Sequence, residues 1–127
     1  MQLKQSRLVT ADVARLSKFY QMLTGAQPEV FSAGYVEFQH NLCAGLAIVD
    51  AAVAGAYGEG VVSAANNRSL VLDFEVDNVD AEYERLKSTI GNWVQPPTNF
   101  PWGNRAMLFR DPDGNLINMF TDPRRTR

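Results

Sequence analysis

Two carboxylates near the C-terminal end are the first candidates for chemistry. Asp111 and Asp113 are separated by one residue, and such a pair could in principle supply a general acid and a general base. They belong to the run Asp-Pro-Asp-Gly, in which proline presets φ, aspartate tolerates turn conformations and glycine reaches positive φ. Segments that can form strands flank this run, at 105–110 and 116–120. We therefore interpret both carboxylates as turn formers of a β-hairpin.

The chain has one histidine and one cysteine, which restricts metal and nucleophile chemistry. We interpret His40, at the end of a predicted strand, as a surface or hydrogen-bonded residue. Cys43 lies in an apolar run without an obvious His or Asn companion, so we interpret it as a small buried hydrophobe. Asp73 and Glu75 share one face of a predicted strand, which leaves a carboxylate-only metal site as an open alternative.

The bulk properties predict an ordinary globular protein. A chain of 127 residues with 46% hydrophobic and 20% charged residues is expected to form one domain with its own core. The formal net charge of −2 argues against nucleic acid as a partner, because phosphate binding needs a basic surface. The basic run 124–127 is interpreted as a solvated terminus. No membrane-spanning stretch or signal peptide is recognisable, so we expect a cytoplasmic protein that does not bind membranes.

The hydrophobic pattern predicts one order of elements twice: a strand, a helix and three strands. The helices are predicted from Asp12 to Thr24 and from Val79 to Ile90, each preceded by a capping side chain and followed by a glycine. The predicted strands are 3–10, 27–32, 35–40 and 45–50, then 69–76, 93–95, 105–110 and 116–120. The two repeats therefore cover about 3–50 and 69–122. The Ala- and Gly-rich segment 51–68 has no clear period, and we interpret it as a connection that is either mobile or folded over a site.

Two βαβββ units, the second ending in Pro-Trp-Gly-Asn-Arg…Phe-Arg-Asp-Pro-Asp-Gly-Asn, resemble the vicinal oxygen chelate superfamily. Its members include glyoxalases, bleomycin-resistance proteins, fosfomycin-resistance enzymes and extradiol dioxygenases. The Phe-Tyr pair at 19–20, followed by Leu23 and Gly25, is similar to the family's usual first helix. The resemblance covers residues 3–122. It implies an α+β fold in which two βαβββ modules form a cupped mixed sheet with the helices outside, and it implies a homodimer.

In the metal-dependent members of that family, His and Glu ligands come from the first and fifth strands and from the strands that close each half. The resemblance aligns these positions with Gln5, Ala47, Val71 and Asn118. None of them is a histidine or a carboxylate, whereas a divalent metal needs several such ligands. This departure predicts a protein without a metal and without another cofactor. A lyase, isomerase or dioxygenase with unusual metal ligands remains the alternative.

Without a metal, the resemblance narrows to bleomycin-resistance-type proteins, which are homodimers that bind small molecules with aromatic and a few polar side chains. It implies a metal-independent protein that binds an aromatic or planar ligand, for instance to sequester an antibiotic or toxin. The candidate ligand-binding residues are Tyr35, Phe100, Trp102, Arg105, Met107, Phe109, Asn118 and Phe120. Strand alternation predicts that Arg105, Met107, Phe109 and Phe120 share the cavity side with Asn118, and that Glu37 and Gln39 face it from their own strand.

Structural interpretations of the aromatic residues stay open beside these. Phe109 and Phe120 could belong to the core or to a dimer interface, Trp102 could brace the hairpin, and Trp93 is interpreted as core. A further hypothesis is a structural or regulatory protein whose cavity is filled by its own side chains.

Overall fold

The computed structural model describes residues 1–39 and 44–125. The predictions made for His40 and Cys43 lie outside the described residues. In chain order the elements are β1 (Gln5–Thr10), α1 (Val13–Thr24), β2 (Glu29–Ser32), β3 (Tyr35–Phe38), β4 (Gly45–Asp50), α2 (Ala51–Ala54), a 3₁₀ helix (Gly55–Tyr57), β5 (Val71–Glu75), α3 (Val79–Leu86), β6 (Trp93–Asn99), β7 (Arg105–Arg110), β8 (Leu116–Thr121) and a second 3₁₀ helix (Pro123–Arg125). The chain divides into two compact units, Met1–Asn66 and Asn67–Arg127.

Both units contain a four-stranded mixed sheet of the same topology. The strand order is β1-β4-β3-β2 in the first unit and β5-β8-β7-β6 in the second. β1 runs parallel to β4 and β5 runs parallel to β8, while the other neighbours are antiparallel. The prediction of an α+β fold built from two βαβββ modules is confirmed.

The two long helices begin where the sequence predicts. The Asp12 side chain accepts a hydrogen bond from the backbone N–H of Arg15 at 3.0 Å, and α1 ends at Gly25, whose φ of +73° is left-handed. The Asn78 side chain caps α3 in the same way. That helix ends at Leu86 rather than at the predicted residue 90, because the Ser-Thr-Ile run at 88–90 forms helix poorly.

The core of each unit lies between its long helix and its sheet. In the first unit the buried apolar side chains on these elements include Leu16, Tyr20, Val36, Phe38 and Ile48. In the second unit they include Leu86, Met107, Phe109, Ile117 and Met119. Alternate residues of the central strands supply these side chains, so the intervening residues face away from the helix.

The remaining differences from the sequence prediction are local. β6 runs on through Pro96 and Pro97, which an edge strand tolerates because it has an unpaired side. The segment 51–68 was predicted as a connection that is either mobile or folded over a site, and it begins with α2, capped by Asp50, and a 3₁₀ helix. At the C-terminal end, exposed Arg124 forms an ion pair with Asp122 at 2.7 Å. Across the described ranges, every helix is too short or too polar to cross a bilayer.

Candidate functional site

Strand alternation collects five polar side chains on the face of the first sheet that points away from α1. We call this set the polar face; it consists of Gln5, Arg7, Tyr35, Glu37 and Gln39. Ala47 in β4 is paired with Arg7 on one side and with Glu37 on the other. The alternate residues Leu8, Val36 and Ile48 are buried on the α1 side. The prediction that Glu37 and Gln39 face the same way from their strand is thus confirmed.

Hydrogen bonds link four members of the polar face. The amide nitrogen of Gln5 donates to the Tyr35 hydroxyl at 3.0 Å, and that hydroxyl donates to the Glu37 carboxylate. The amide nitrogen of Gln39 donates to the amide oxygen of Gln5 at 2.8 Å. Both ends of the Gln5 amide are therefore engaged, and the tyrosine hydroxyl is held between an amide and a carboxylate.

Gly45 makes this network possible because it lies between the two glutamines. A Cβ at Gly45 would come within 2.9 Å of the Gln39 amide and within 2.8 Å of the backbone oxygen of Lys4. Real Cβ atoms do not approach neighbours so closely, so a side chain here would displace Gln39. A glycine at this position of β4 lets the two amides meet.

Arg7 lies beside two tyrosine rings. Its guanidinium carbon is 5.7 Å from the centroid of the Tyr35 ring and 5.9 Å from that of Tyr57. One guanidinium nitrogen also donates to the Tyr57 hydroxyl. Tyr57 comes from the 3₁₀ helix that follows α2, so this short helix delivers an aromatic ring to the polar face.

Aromatic surface next to the polar face is open. Phe31 packs against Tyr35 with ring centroids 5.7 Å apart, yet the side chains of Phe31 and Tyr57 remain 57% and 56% exposed. Burial raises the pKa of the Tyr35 hydroxyl, and its hydrogen bond to Glu37 raises it further. Tyr35 therefore stays protonated at neutral pH and acts as a fixed donor. The arrangement offers hydrogen bonds, ring faces and one guanidinium.

The equivalent face of the second sheet has a different chemistry. It is lined by Val71, Asp73, Glu75, Ala106, Leu108, Arg110, Leu116, Asn118 and Phe120. The Asn118 amide donates to the Asp73 carboxylate at 3.0 Å, across the parallel pair β5–β8. Most of the other side chains on this face are hydrocarbon.

The register of the hairpin corrects the predicted orientation of β7. Asn118 is paired with Leu108, so Arg105, Met107 and Phe109 point to the opposite face. Met107 and Phe109 are fully buried on the α3 side. Phe120, paired with Ala106, does share the side of Asn118, as predicted.

Contacts on the α3 side explain this orientation. The Phe109 ring lies 5.1 Å from the Trp93 ring, which lies 5.1 Å from the Tyr83 ring of α3. Trp93 thus belongs to an aromatic cluster against the helix, where it is half-buried. Arg105 donates two hydrogen bonds to the Asp80 carboxylate of α3, at 2.8 and 2.9 Å. This contact lowers the pKa of Asp80.

Phe100 and Trp102 form a stacked pair at the entry to the hairpin. Their ring centroids are 5.0 Å apart with an interplanar angle of 15°. The loop is closed by hydrogen bonds from Gly103 N–H to Phe100 C=O and from Phe100 N–H to Asn104 C=O. Trp102 is 73% exposed, so its ring rests on Phe100 and not in a core.

Within the hairpin turn, Asp111 acts as a turn former, as interpreted from the sequence. Asp111 is buried, and its carboxylate accepts hydrogen bonds from the backbone N–H of Asp113 and from both the backbone and the amide of Asn115, at 2.8–2.9 Å. Gly114 adopts a φ of +88°, which a side chain would oppose. The Asp111 carboxylate is thus engaged in hydrogen bonds within the turn.

Arg105 also lines an open cleft of about 390 Å³ in the second unit. The lining residues are Asp77, Asn99, Gly103, Arg105, Thr121, Asp122 and Pro123. Two of the charged lining groups are paired with residues outside the cleft: Arg105 bonds Asp80, and Asp122 bonds Arg124. Of the predicted ligand-binding residues, this cleft contains Arg105 alone.

A comparison with known protein families identifies the superfamily of the chain. The sequence model described as Glyoxalase/Bleomycin resistance protein/Dioxygenase superfamily matches residues 2–119. The chain belongs to this superfamily. The resemblance to vicinal oxygen chelate proteins is thereby confirmed.

Solved structures of the same fold include three with TM-scores above 0.8. A glyoxalase-related enzyme from Fulvimarina pelagi is 23% identical, with a TM-score of 0.81 over 97% of this chain and 89% of that one. A glyoxalase/bleomycin resistance protein/dioxygenase family enzyme from Burkholderia phytofirmans PsJN is 17% identical, with a TM-score of 0.83 over 95% and 98%. A protein of unknown function from Agrobacterium tumefaciens str. C58 is 23% identical, with a TM-score of 0.81 over 96% and 94%. At these identities the likeness shows the fold alone. No curated protein matches the chain by sequence.

The four positions that the sequence analysis aligns with metal ligands carry side chains that do not fit a divalent metal. Gln5 and Asn118 present amides that are bonded to neighbouring side chains, and Val71 and Ala47 present only hydrocarbon. Zinc and similar ions require imidazole, thiolate or carboxylate ligands. Within 1–39 and 44–125, no three His, Cys, Asp or Glu side chains are grouped to hold a metal.

Arg7 and Tyr57 are the contributors to this site that sequence reasoning missed. Alternation from Gln5 along β1 could have indicated Arg7, because residues two apart share a face. No sequence pattern singled out Tyr57, since it lies in a segment without a hydrophobic period. Tyr35 was predicted and is found in the interior strand β3.

Proposed function

We propose that this protein binds a small molecule with an aromatic or planar part at the polar face of its first unit, without a metal ion. One observation carries the proposal: a hydrogen-bonded set of polar side chains lies beside open tyrosine and phenylalanine rings. Sites for small molecules combine a few fixed polar groups with aromatic or apolar surface, and this face offers both.

The hydrogen-bond network supports binding because it is already ordered. Tyr35 is held by Gln5 on one side and Glu37 on the other, and Gln39 fixes the Gln5 amide in turn. Side chains that are fixed before binding lose little conformational entropy when a ligand arrives. A planar ligand stacked on an exposed ring would therefore meet donors and acceptors in defined places.

The chemistry of the face supports sequestration over catalysis. A tyrosine whose pKa is raised is a poor proton donor near neutral pH, because acid catalysis is most efficient when the pKa lies close to the operating pH. The amides of Gln5 and Gln39 can only donate and accept hydrogen bonds. Holding an antibiotic or toxin unchanged is the role that such a face would serve.

We also propose that the protein is a homodimer. The edge strand β2 exposes Val30, at 65%, and exposed apolar edge strands are usually covered. A second copy of the chain is the simplest cover, since most oligomers are symmetric. Light scattering that returns the mass of a single chain at micromolar concentration would refute this part.

The binding proposal can be tested by calorimetric titration of protein treated with EDTA. Bleomycin and a panel of aromatic antibiotics would serve as ligands. We expect at least one to bind with micromolar affinity, and Tyr35→Ala to weaken it by about tenfold or more, equivalent to about 1.4 kcal/mol. Trp102→Ala discriminates between two sites. A larger loss of affinity in this variant than in Tyr35→Ala would assign the ligand to the hairpin entry.

Two results would contradict the proposal. One is the absence of binding by every compound to protein that is folded by circular dichroism. The other is a transition metal present at one equivalent in the purified protein, together with binding that EDTA abolishes. The second result would favour a metal-dependent enzyme of the same superfamily with unusual ligands.

A further inference from the structure

We propose that the ligand of the polar face carries an anionic group, a carboxylate or a similar oxyanion, and that Arg7 binds this group. The inference rests on the proposed function, because it names the chemistry of the ligand at the same site. It goes further in predicting that a neutral or cationic analogue of the same shape binds less well.

Three arginines of the chain are held by a carboxylate, and in the part that the structure describes Arg7 is not one of them. Arg85, Arg105 and Arg124 lie 2.6–2.8 Å from Glu82, Asp80 and Asp122, respectively. Among the described residues Arg7 forms no ion pair, and a neutral hydroxyl, that of Tyr57, is the acceptor of its hydrogen bond. A guanidinium has several N–H donors, so most of its capacity is left for a ligand.

The two tyrosine rings hold this guanidinium for recognition. Cation–π contact with Tyr35 and Tyr57 restricts where the guanidinium can lie, and the bond to the Tyr57 hydroxyl limits its rotation. A planar guanidinium matches a carboxylate because two parallel N–H groups meet two oxygens. A ligand anchored in this way would place its planar body next to the open ring of Tyr57.

Glu37 does not neutralise this cation. Ala47 lies between Glu37 and Arg7 in the sheet register, and the Glu37 carboxylate accepts the Tyr35 hydroxyl instead. The carboxylate of Glu29, which is paired with Glu37 on the edge strand β2, lies one strand further from Arg7. The negative side of the face is therefore set apart from the guanidinium, which can accept an anion.

The test uses three probes that share a ring system and differ in charge: 2-naphthoate, 2-naphthamide and 2-naphthylmethylammonium. Each would be titrated calorimetrically into the full chain and into Arg7→Gln, Arg7→Lys and Glu37→Gln. Arg15→Gln is the matched control, because it removes the same charge from an exposed arginine on α1, in the same unit. Circular dichroism would verify that each variant is folded.

We expect the wild-type protein to bind naphthoate about tenfold more tightly than naphthamide. The difference should shrink with added salt, because salt screens exposed charges. Arg7→Gln should reduce naphthoate to the affinity of naphthamide while leaving naphthamide itself unchanged, and Arg7→Lys should restore part of the difference. Glu37→Gln should strengthen naphthoate binding, and Arg15→Gln should alter none of the three affinities.

The outcomes separate this inference from the proposed function. Equal binding of naphthoate and naphthamide, or a preference that survives Arg7→Gln, overturns the role of Arg7 and leaves small-molecule binding intact. Tightest binding of the ammonium probe overturns it as well and assigns recognition to Glu37. If none of the probes binds the folded wild-type protein, both proposals are contradicted.

Discussion

The two sheets have the same strand topology, but equivalent positions on the faces opposite their helices carry opposite chemistry. Arg7 lies beside Ala47 in the first sheet, and at the equivalent place Asp73 lies beside Asn118 in the second. Register likewise makes Leu108 the counterpart of Glu37. The hydrogen-bonded tyrosine thus occurs on one face alone, and the cation of the second face, Arg110 beside Leu116, donates to the backbone oxygen of Gly114. The duplicated backbone supplies two equivalent surfaces, and only the side chains make one of them suited to a ligand.

The two faces that pack against the helices, in contrast, resemble each other in their chemistry. Both are apolar and buried, both helices are capped by an Asx side chain, and neither face carries an unpaired charge among the described residues. Close packing constrains these positions, since a change of even one methylene is felt in a core. On the opposite faces Arg7 and Asp73 are exposed, so the chemistry of these positions can differ between the units at little cost in stability.

The largest effect should come from removing a ring on the helix side of the second sheet. Phe109→Ala is expected to lower the free energy of unfolding by about 3–5 kcal/mol, because the side chain is fully buried against Trp93. Phe120→Ala, on the opposite face, should lower it by about 1 kcal/mol. Guanidinium chloride denaturation measures both. Equal losses would mean that the register placing Phe109 against α3 is wrong.

A smaller effect is expected from filling the gap over β4 in the first sheet. Gly45→Ala should cost about 1–3 kcal/mol, because the added methyl meets the Lys4 backbone and the Gln39 amide. Gly55→Ala is the control: nothing lies within 4 Å of its Cβ and its φ is −58°, so a gain of about 0.5 kcal/mol is expected. Urea denaturation distinguishes them, and a neutral Gly45→Ala would contradict the close contact.

The smallest effect should appear at high pH. Since the pKa of Tyr35 is raised in the folded protein, the unfolded chain loses this proton first as the pH rises. The contribution of Tyr35 to stability is complete below the ordinary tyrosine pKa of 10.0 and is lost as the pH passes that value towards the folded pKa. Tyr35→Phe should therefore show a shallower fall in the free energy of unfolding between pH 9 and 11. Identical slopes would indicate that Tyr35 is not perturbed.

The structural features that could be predicted from the sequence are those that depend on neighbouring residues in the chain. The caps Asp12 and Asn78, the left-handed Gly25 and the Asp-Pro-Asp-Gly turn all depend on residues within a few positions of one another. These features were predicted correctly because capping and turn formation need no distant partner. The start and end of β4 and β7 also agree with the prediction.

The orientation of β7 could not be obtained in this way. Met107, Leu108 and Phe109 are all apolar, so alternation alone does not say which of them faces the helix. The answer comes from the register of the hairpin, which pairs Leu108 with Asn118. Similarly, Arg7 and Tyr57 are 50 positions apart in the chain, and only folding shows that they are in contact.

The stacked Phe100–Trp102 pair has a consequence for spectroscopy. The chain contains two tryptophans, and both Trp93 and Trp102 belong to the second unit. Trp93 sits in an aromatic cluster whereas Trp102 is open to water, so their emission maxima should differ. Tryptophan fluorescence excited at the red edge of the absorption band therefore reports on the second unit and not on the first. Introducing a single tryptophan at Phe31 would give the first unit a reporter of its own.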